Sequence, residues 1–120
     1  QLPQPLIKIW IKSVGEVVAL VDTGASVTTV KSKTILNSFK LNNSKSLVIL
    51  RGIDNRVVHI IDEIPLEIHW SGTKVEIEKV AVVKSAPFAV ILGADWIVQS
   101  RTSCIVQEGK IVPIAFKDES

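Results

Sequence analysis

The sequence is poor in the residues that several classes of function require. Its 120 residues include one cysteine, three phenylalanines, three tryptophans and no tyrosine or methionine. A single cysteine cannot form a disulfide framework and fits a reducing compartment. So few aromatic residues, with a net charge of only +2, argue against a nucleic-acid surface. We also expect neither secretion nor a membrane partner, because no signal peptide or membrane-length apolar run is present.

Branched aliphatic residues are abundant instead. The apolar share is 47% and the mean hydropathy is +0.35, so we expect a partner subunit to cover part of the apolar surface. Most of these residues are Val and Ile, which favour strands. The length is that of one domain, and no linker divides residues 1–120. Since methionine is absent, we expect Gln1 to follow a cleavage or trimming point.

Alternating apolar and polar residues predict an all-β domain with one short helix near its end. The helix is predicted over residues 94–100, with Asp95 in its first turn, where a carboxylate suits the helix dipole. Residues 31–43 are polar and are expected to be irregular. The predicted strands are residues 6–11, 16–21, 27–30, 46–50, 57–61, 65–70, 74–80, 89–92, 104–106 and 110–112.

The tripeptide Asp22-Thr23-Gly24, directly after the second strand, has the composition of half an aspartic-protease site. Peptide hydrolysis without a metal or a covalent nucleophile takes two carboxyls that share one proton. The ionised carboxyl takes a proton from water, and the protonated one polarises the scissile carbonyl. Thr23 offers a hydroxyl to the symmetry-related loop, and Gly24 lets a substrate approach the backbone. The chain has one such tripeptide, so a complete site requires two copies.

Two segments resemble the signatures of the retropepsins, the proteases of retroviruses and LTR retrotransposons. Leu20–Ser26 is similar to their active-site loop, and Val90–Ile97 is similar to their second signature, an apolar pair followed by Gly and a short helix. About seventy residues separate the two, with a hairpin between them where the family has its flap. The Asp-Trp pair after Gly93 is closest to gypsy-type retroelements. The resemblance covers residues 5–116.

The resemblance implies a closed β-barrel that forms one half of an acid protease, and an obligate homodimer. It implies a catalytic set of Asp22, Thr23 and Gly24, with no cofactor and no metal. The flap is residues 46–61, its tip closes over an extended peptide, and the tail, residues 103–116, enlarges the dimer sheet. The residues implied to contact substrate are Ala25, Ser26, Val27, Arg51, Gly52, Ile53, Asp54, Phe88, Ala89 and Ile91.

Two positions depart from the retroviral pattern. Ser26 stands where many members have Asp, and Ala94 stands where they often have Arg. We therefore expect the ion-pair network of those residues at the dimer interface to be absent. Structural roles also remain open for two carboxylates. Asp22 is alternatively a turn residue that accepts backbone hydrogen bonds, and Asp95 is expected to cap the helix rather than to catalyse.

The expected function is that of a homodimeric aspartic endopeptidase that processes a retroviral or retrotransposon polyprotein, in the cytoplasm or within virus-like particles. One alternative is a catalytically silent module of the same fold that dimerises or binds peptides. Another takes Asp22–Ser26 as the phosphate loop of a sugar-kinase-like or actin-like ATPase. That class needs two α/β lobes, and the chain has neither the length nor the helices for them.

Overall fold

The structure is a computed structural model that describes residues 2–42, 46–49 and 57–117. Strands and two short helices make up its regular elements. In chain order they are β1 (Leu6–Ile11), β2 (Gly15–Val21), β3 (Thr29–Lys31), α1 (Ser32–Ile35), β4 (Ser46–Ile49), β5 (Val57–Trp70), β6 (Thr73–Val83), β7 (Val90–Leu92), α2 (Ala94–Gln99), β8 (Ser103–Gln107) and β9 (Lys110–Ile114).

Six of the strands form a closed barrel. Their order is β1-β2-β7-β3-β6-β5, and β5 pairs back onto β1 through the partners Trp10–His69 and Ile11–Ile68. Strand β4 pairs with β5 outside this ring, and β8 pairs with β9 in a separate two-stranded sheet. The prediction of a closed β-barrel is therefore confirmed.

The interior of the barrel is filled mainly by branched aliphatic side chains. Strands β1 and β2 contribute alternate residues to it, which is the period-2 pattern that predicted them. Trp96 of α2 is 1% exposed and packs edge-on against Trp70, with the ring centroids 5.7 Å apart. The other fully buried large side chains are Ile9, Ile11, Val21, Val30, Ile35, Leu66, Ile68, Val80, Val82, Val83 and Leu92.

The short strand β7 decides what lies next to Asp22. It runs parallel to β2, with Val21 opposite Leu92, and antiparallel to β3. Parallel neighbours end at the same edge of a sheet. The loops that begin at Asp22 and at Gly93 therefore emerge side by side, although they are far apart in the sequence.

The structure corrects two of the sequence predictions. Residues 32–35, predicted to be irregular, form α1, so the described part of the chain has two short helices rather than one. Ile35 is fully buried, and this tertiary contact fixes a helix too short to show a periodic pattern. The two strands predicted at 57–61 and 65–70 are one strand, β5, which continues through Pro65. A register shift between Ile64 and Leu66 accommodates the proline, which cannot donate a ladder hydrogen bond.

The last hairpin joins the strands predicted at residues 104–106 and 110–112. Glu108 and Gly109 connect β8 to β9 with φ angles of 50° and 74°. Two positive φ angles in a two-residue loop match the right-handed twist of the flanking strands. Within the described ranges, no helix is long and apolar enough to cross a membrane.

Replacing Trp96 by alanine should destabilise the barrel strongly, because it leaves a large cavity against Trp70. We expect a loss of roughly 3–5 kcal/mol in the free energy of unfolding, measured by urea titration at fixed protein concentration. The matched control is Trp10→Ala, whose side chain is 45% exposed and should cost at most about 1.5 kcal/mol. Equal losses for the two variants would contradict this assignment of the core.

Candidate active site

Asp22 lies directly after β2, at the start of a loop that several backbone hydrogen bonds hold in place. Its backbone N–H donates to the Leu92 carbonyl at 2.9 Å, and the Val21 N–H donates to the Pro5 carbonyl at 2.9 Å. The Asp22 Oδ1 atom accepts the Gly24 N–H at 2.9 Å, and the Asp22 carbonyl accepts the Ala25 N–H at 3.2 Å. The Asp22 side chain is half-buried, whereas Thr23 and Gly24 are exposed.

The hydrogen bond from the Gly24 N–H is the one expected if Asp22 is a turn residue whose side chain accepts backbone hydrogen bonds. It does not exclude a chemical role, because an ionised carboxylate has two oxygens and about four acceptor positions. The bond also orients the carboxylate before any ligand binds. The turn geometry is thus compatible with both interpretations of Asp22, structural and catalytic.

Thr28 and Asp95 connect the loop after Asp22 to helix α2. The Asp95 carboxylate accepts the Thr28 backbone N–H at 3.0 Å and the Thr28 hydroxyl at 2.6 Å. The Thr28 hydroxyl oxygen in turn accepts the Gly93 N–H at 3.1 Å. We call these bonds the Thr28–Asp95 contact. Thr28 is fully buried, and sequence reasoning missed it because no spacing rule relates residues 67 positions apart.

Gly93 is required where α2 begins. A β-carbon at this position would lie 2.7 Å from the carbonyl carbon and oxygen of Val27 and 2.9 Å from the carbonyl oxygen of Ala25. Because these neighbours are backbone atoms, they cannot move aside as a flexible side chain would. The close approach allows the Ala94 N–H to donate to the Ala25 carbonyl at 2.7 Å.

The predicted capping role of Asp95 is wrong. The N-cap of α2 is Gly93, with no side-chain capping bond, and Asp95 is the second residue of the helix. Its carboxylate bonds to Thr28 and to the Trp96 N–H, the latter at 2.7 Å. Asp95 therefore has a structural role, as expected, but it joins two segments of the chain instead of closing the end of a helix.

The structure brings most of the predicted substrate-contacting residues to the edge of the barrel near Asp22. Ala25, Ser26 and Val27 follow Asp22 in its loop. Ile91 pairs with Leu20 of β2, and the Ala89 carbonyl accepts the Lys31 N–H at 2.9 Å. Of these residues Ser26 is exposed and the others are half-buried, as is Phe88. The predicted flap-tip residues Arg51, Gly52, Ile53 and Asp54 lie outside the described residues.

The ion-pair network at the dimer interface concerns contacts between two copies, and its expected absence stays a prediction. Ser26 and Ala94 carry no charge, and the ion pairs that the structure describes, Lys8–Glu16 and His69–Glu67, lie on β1, β2 and β5. The hydrogen bond from His69 lowers the pKa of Glu67. No group of three metal-ligating side chains occurs within residues 2–42, 46–49 and 57–117.

A cleft of about 350 Å³ lies elsewhere on the molecule, between the β1–β2 and β5–β6 hairpins. Trp10, His69 and Trp70 line it, together with the Ser71-Gly72 turn. None of the predicted site residues contributes to its walls. The predicted site residues lie instead at the edge of the barrel where β2 and β7 end.

The structure is a closed six-stranded barrel in which an Asp-Thr-Gly loop lies against a short helix that begins after a glycine. These features define a retropepsin-like domain. The family model described as retroviral aspartyl protease matches residues 1–104. The chain therefore belongs to the retroviral aspartyl protease family. The tail after Cys104, which includes β9, lies beyond the matched residues.

Solved structures show the same fold at low sequence identity. The EIAV protease complexed with the inhibitor HBY-793 has a TM-score of 0.64 and 17% identity, over 86% of this chain and 93% of that chain. The retroviral protease-like domain of Ddi1 from Leishmania major has a TM-score of 0.63 and 15% identity, over the whole of both chains. No curated protein matches the sequence significantly.

Asp95→Asn should weaken the Thr28–Asp95 contact, because an amide replaces one acceptor oxygen by a donor. We expect a loss of about 1–3 kcal/mol in the free energy of unfolding, measured by urea titration. The control is Glu16→Gln, which alters an exposed ion pair and should cost at most about 1 kcal/mol. A wild-type stability for Asp95→Asn would show that the contact is dispensable.

Proposed function

We propose that this protein is a homodimeric aspartic endopeptidase in which two Asp22 carboxyls, one from each copy, activate a water molecule. The observation that carries this proposal is the Asp22-Thr23-Gly24 loop, held rigidly at an exposed edge of the barrel. Membership of the retroviral aspartyl protease family supports the reaction class.

The two carboxyls act as one unit with a single shared proton, since two carboxylates in contact cannot both ionise easily. The ionised carboxyl takes a proton from water, whose oxygen forms a bond to the scissile carbonyl carbon. The protonated carboxyl donates its proton to the carbonyl oxygen, which becomes a hydroxyl. When this tetrahedral intermediate collapses, the C–N bond breaks and the carboxyl that took the proton from water gives it to the departing amine. A hydroxyl of the intermediate returns its proton to the other carboxylate, which restores the single shared proton. Thr23 would contact its counterpart across the dimer axis.

The dimer surface that we propose includes the sheet of β8 and β9. Val106 is 68% exposed, and Ile105, Ile114 and Phe116 are also exposed apolar side chains on this tail. The sheet has only two strands, and such an isolated ribbon is at best marginally stable in water. A second copy would cover the apolar side chains and extend the sheet.

Burial raises the pKa of the Cys104 thiol on β8, so this cysteine is poorly ionised at neutral pH.

The proposed substrate is an extended peptide that lies between the β4–β5 hairpin and the floor formed by Ala25–Val27 and Phe88–Ile91. An extended peptide offers backbone groups to the exposed Gly24, and its side chains alternate between facing surfaces. By the resemblance to retroelement proteases, we propose that this peptide belongs to a polyprotein processed in the cytoplasm or within virus-like particles. Neither a cofactor nor a nucleic acid is needed for this reaction.

A catalytically silent module remains the second candidate. The observation in its favour is the Gly24 bond to the Asp22 carboxylate, which alone gives this residue a structural purpose. Likeness at 15–17% identity establishes the fold and not the activity. Such a module would form a dimer and bind peptides without cleaving them. The ATPase alternative loses its basis, because the described elements form a β-barrel rather than two α/β lobes.

Asp22→Asn should abolish peptide cleavage, because an amide cannot accept and return the proton. We expect kcat to fall at least about 100-fold on a peptide library read by mass spectrometry. Glu16→Gln, which changes an exposed carboxylate on β2, is the control and should cleave as the wild type does. If Asp22→Asn cleaves as well as the wild type, the proposed mechanism is wrong. If the wild type binds peptides but cuts none, the silent module is correct.

Val106→Asp should weaken the dimer, because a charge would be buried in the proposed interface. We expect the dimer dissociation constant to rise at least about tenfold in sedimentation velocity across a concentration series. The matched control, Val18→Asp, changes a residue that is 47% exposed on β2 and should leave the dissociation constant unchanged. A statine inhibitor that spans both halves should shift each population towards dimer. An unchanged Val106→Asp dimer would place the interface elsewhere.

A further inference from the structure

Asp62 is a buried carboxylate that the proposed reaction does not use. It lies on β5 and is 8% exposed. Its Oδ2 atom accepts the backbone N–H of Asn42 at 2.8 Å, and its Oδ1 atom accepts the N–H of Glu63 at 2.8 Å. Burying a carboxylate is costly unless hydrogen bonds compensate. The position therefore needs an explanation beyond the packing of the core.

Asp62 lies where the β4–β5 hairpin separates from the barrel. Residues 57–60 of β5 pair with β4, whereas the strand pairs with β6 from Ile60 onwards. Strands β4 and β6 lie on opposite edges of β5, both pairings meet at Ile60, and a register shift follows between Ile60 and Asp62. From Ile60 towards Val57, β5 pairs with β4, over residues 46–49. These residues form a two-stranded ribbon, which has little stability of its own.

The hydrogen bond to Asn42 fixes the chain a few residues before the other strand of this ribbon begins. Asn42 lies four residues before Ser46, the first residue of β4. One carboxylate thus bonds to the chain that leads into β4 and to the backbone of β5 immediately after the ribbon. Phe39 and Leu41, which precede Asn42, pack against the main core and hold that chain in place. We call this arrangement the Asp62 clamp.

We propose that Asp62 is a positioning residue that fixes the direction in which the β4–β5 ribbon leaves the barrel, and thereby sets the affinity for substrate. The effect on substrate rests on the proposed function, in which the peptide lies beneath this ribbon. Asp62 does not touch the reacting atoms. It acts by accepting the backbone N–H groups of Asn42 and Glu63. A side chain that cannot accept from both would leave one side of the ribbon unattached.

The test compares two changes that break the same hydrogen bond from opposite sides. Asp62→Asn places an amide donor against one of the two N–H groups, and Asn42→Pro removes the N–H that Oδ2 accepts. Asn42→Ala, which keeps the backbone N–H, is the matched control. Hydrogen exchange followed by mass spectrometry reports the amides of Ser46–Ile49 and Val57–Ile60. The amides of β1 and β2 provide the internal reference.

Both breaking variants should accelerate exchange in the ribbon at least about tenfold, with rates in β1 and β2 unchanged. For cleavage, we expect KM to rise about tenfold with kcat within about twofold of the wild type, because the reacting groups are untouched. The double variant should be no worse than either single one, because one bond cannot be lost twice. Asn42→Ala should match the wild type in every measurement.

Three results would overturn the proposal. Exchange that accelerates equally in the ribbon and the barrel would show that Asp62 only stabilises the fold. An equal fall in kcat and kcat/KM with KM unchanged would place its effect on the chemical step. Additive effects of Asp62→Asn and Asn42→Pro would show that they do not share one bond. If the wild-type protein cleaves no peptide, the proposed function fails, whereas the exchange and additivity results still decide the Asp62 clamp.

Discussion

The hydrogen bonds between Thr28 and Asp95 are the constraint on which the predicted site depends. They join the loop after β2 to helix α2, and the Gly93 N–H completes the set. Without them, backbone hydrogen bonds such as the one from the Ala94 N–H to the Ala25 carbonyl would hold the chain after Asp22 without any side-chain support from Asp95. The carboxylate is satisfied by three donors in a part-buried position, where each bond is stronger than in water. The loop after Asp22 is thus attached to helix α2 by two residues, Thr28 and Asp95, that take no part in the proposed chemistry.

This contact also explains how the loop is ordered without the charges that many retroviral relatives have at Ser26 and Ala94. Neutral residues at these positions leave the order of the loop to hydrogen bonds within one chain. The Ala94 N–H and the Ala25 carbonyl add a backbone bond of 2.7 Å to the same junction. In the dimer that we propose, apolar contacts on the β8–β9 tail would hold the two copies together, since exposed ion pairs contribute little.

Particular residues show how far prediction from the sequence could go. Strands β1 and β2 were predictable because their side chains alternate between core and surface, and the β8–β9 turn because Glu108-Gly109 suits two positive φ angles. Helix α1 was not, because four residues carry no period and Ile35 is ordered by burial. The continuity of β5 through Pro65 depends on a bulge opposite β6, and a bulge leaves no signal in one strand alone. Thr28 lies in the strand predicted at residues 27–30, and nothing in the sequence relates it to Asp95.

The sequence by itself determined the β-rich character of the chain, the Asp-Thr-Gly tripeptide at the end of a strand and the one-per-chain count that implies a second copy. These are local properties, because side-chain alternation and a short motif depend on neighbours in the chain. Tertiary structure alone decided that Val21 lies beside Leu92, that Asp95 bonds Thr28 and that Asp62 accepts the Asn42 N–H. Each of these joins residues far apart in sequence, and such pairings are fixed only when the whole barrel closes and buries its core.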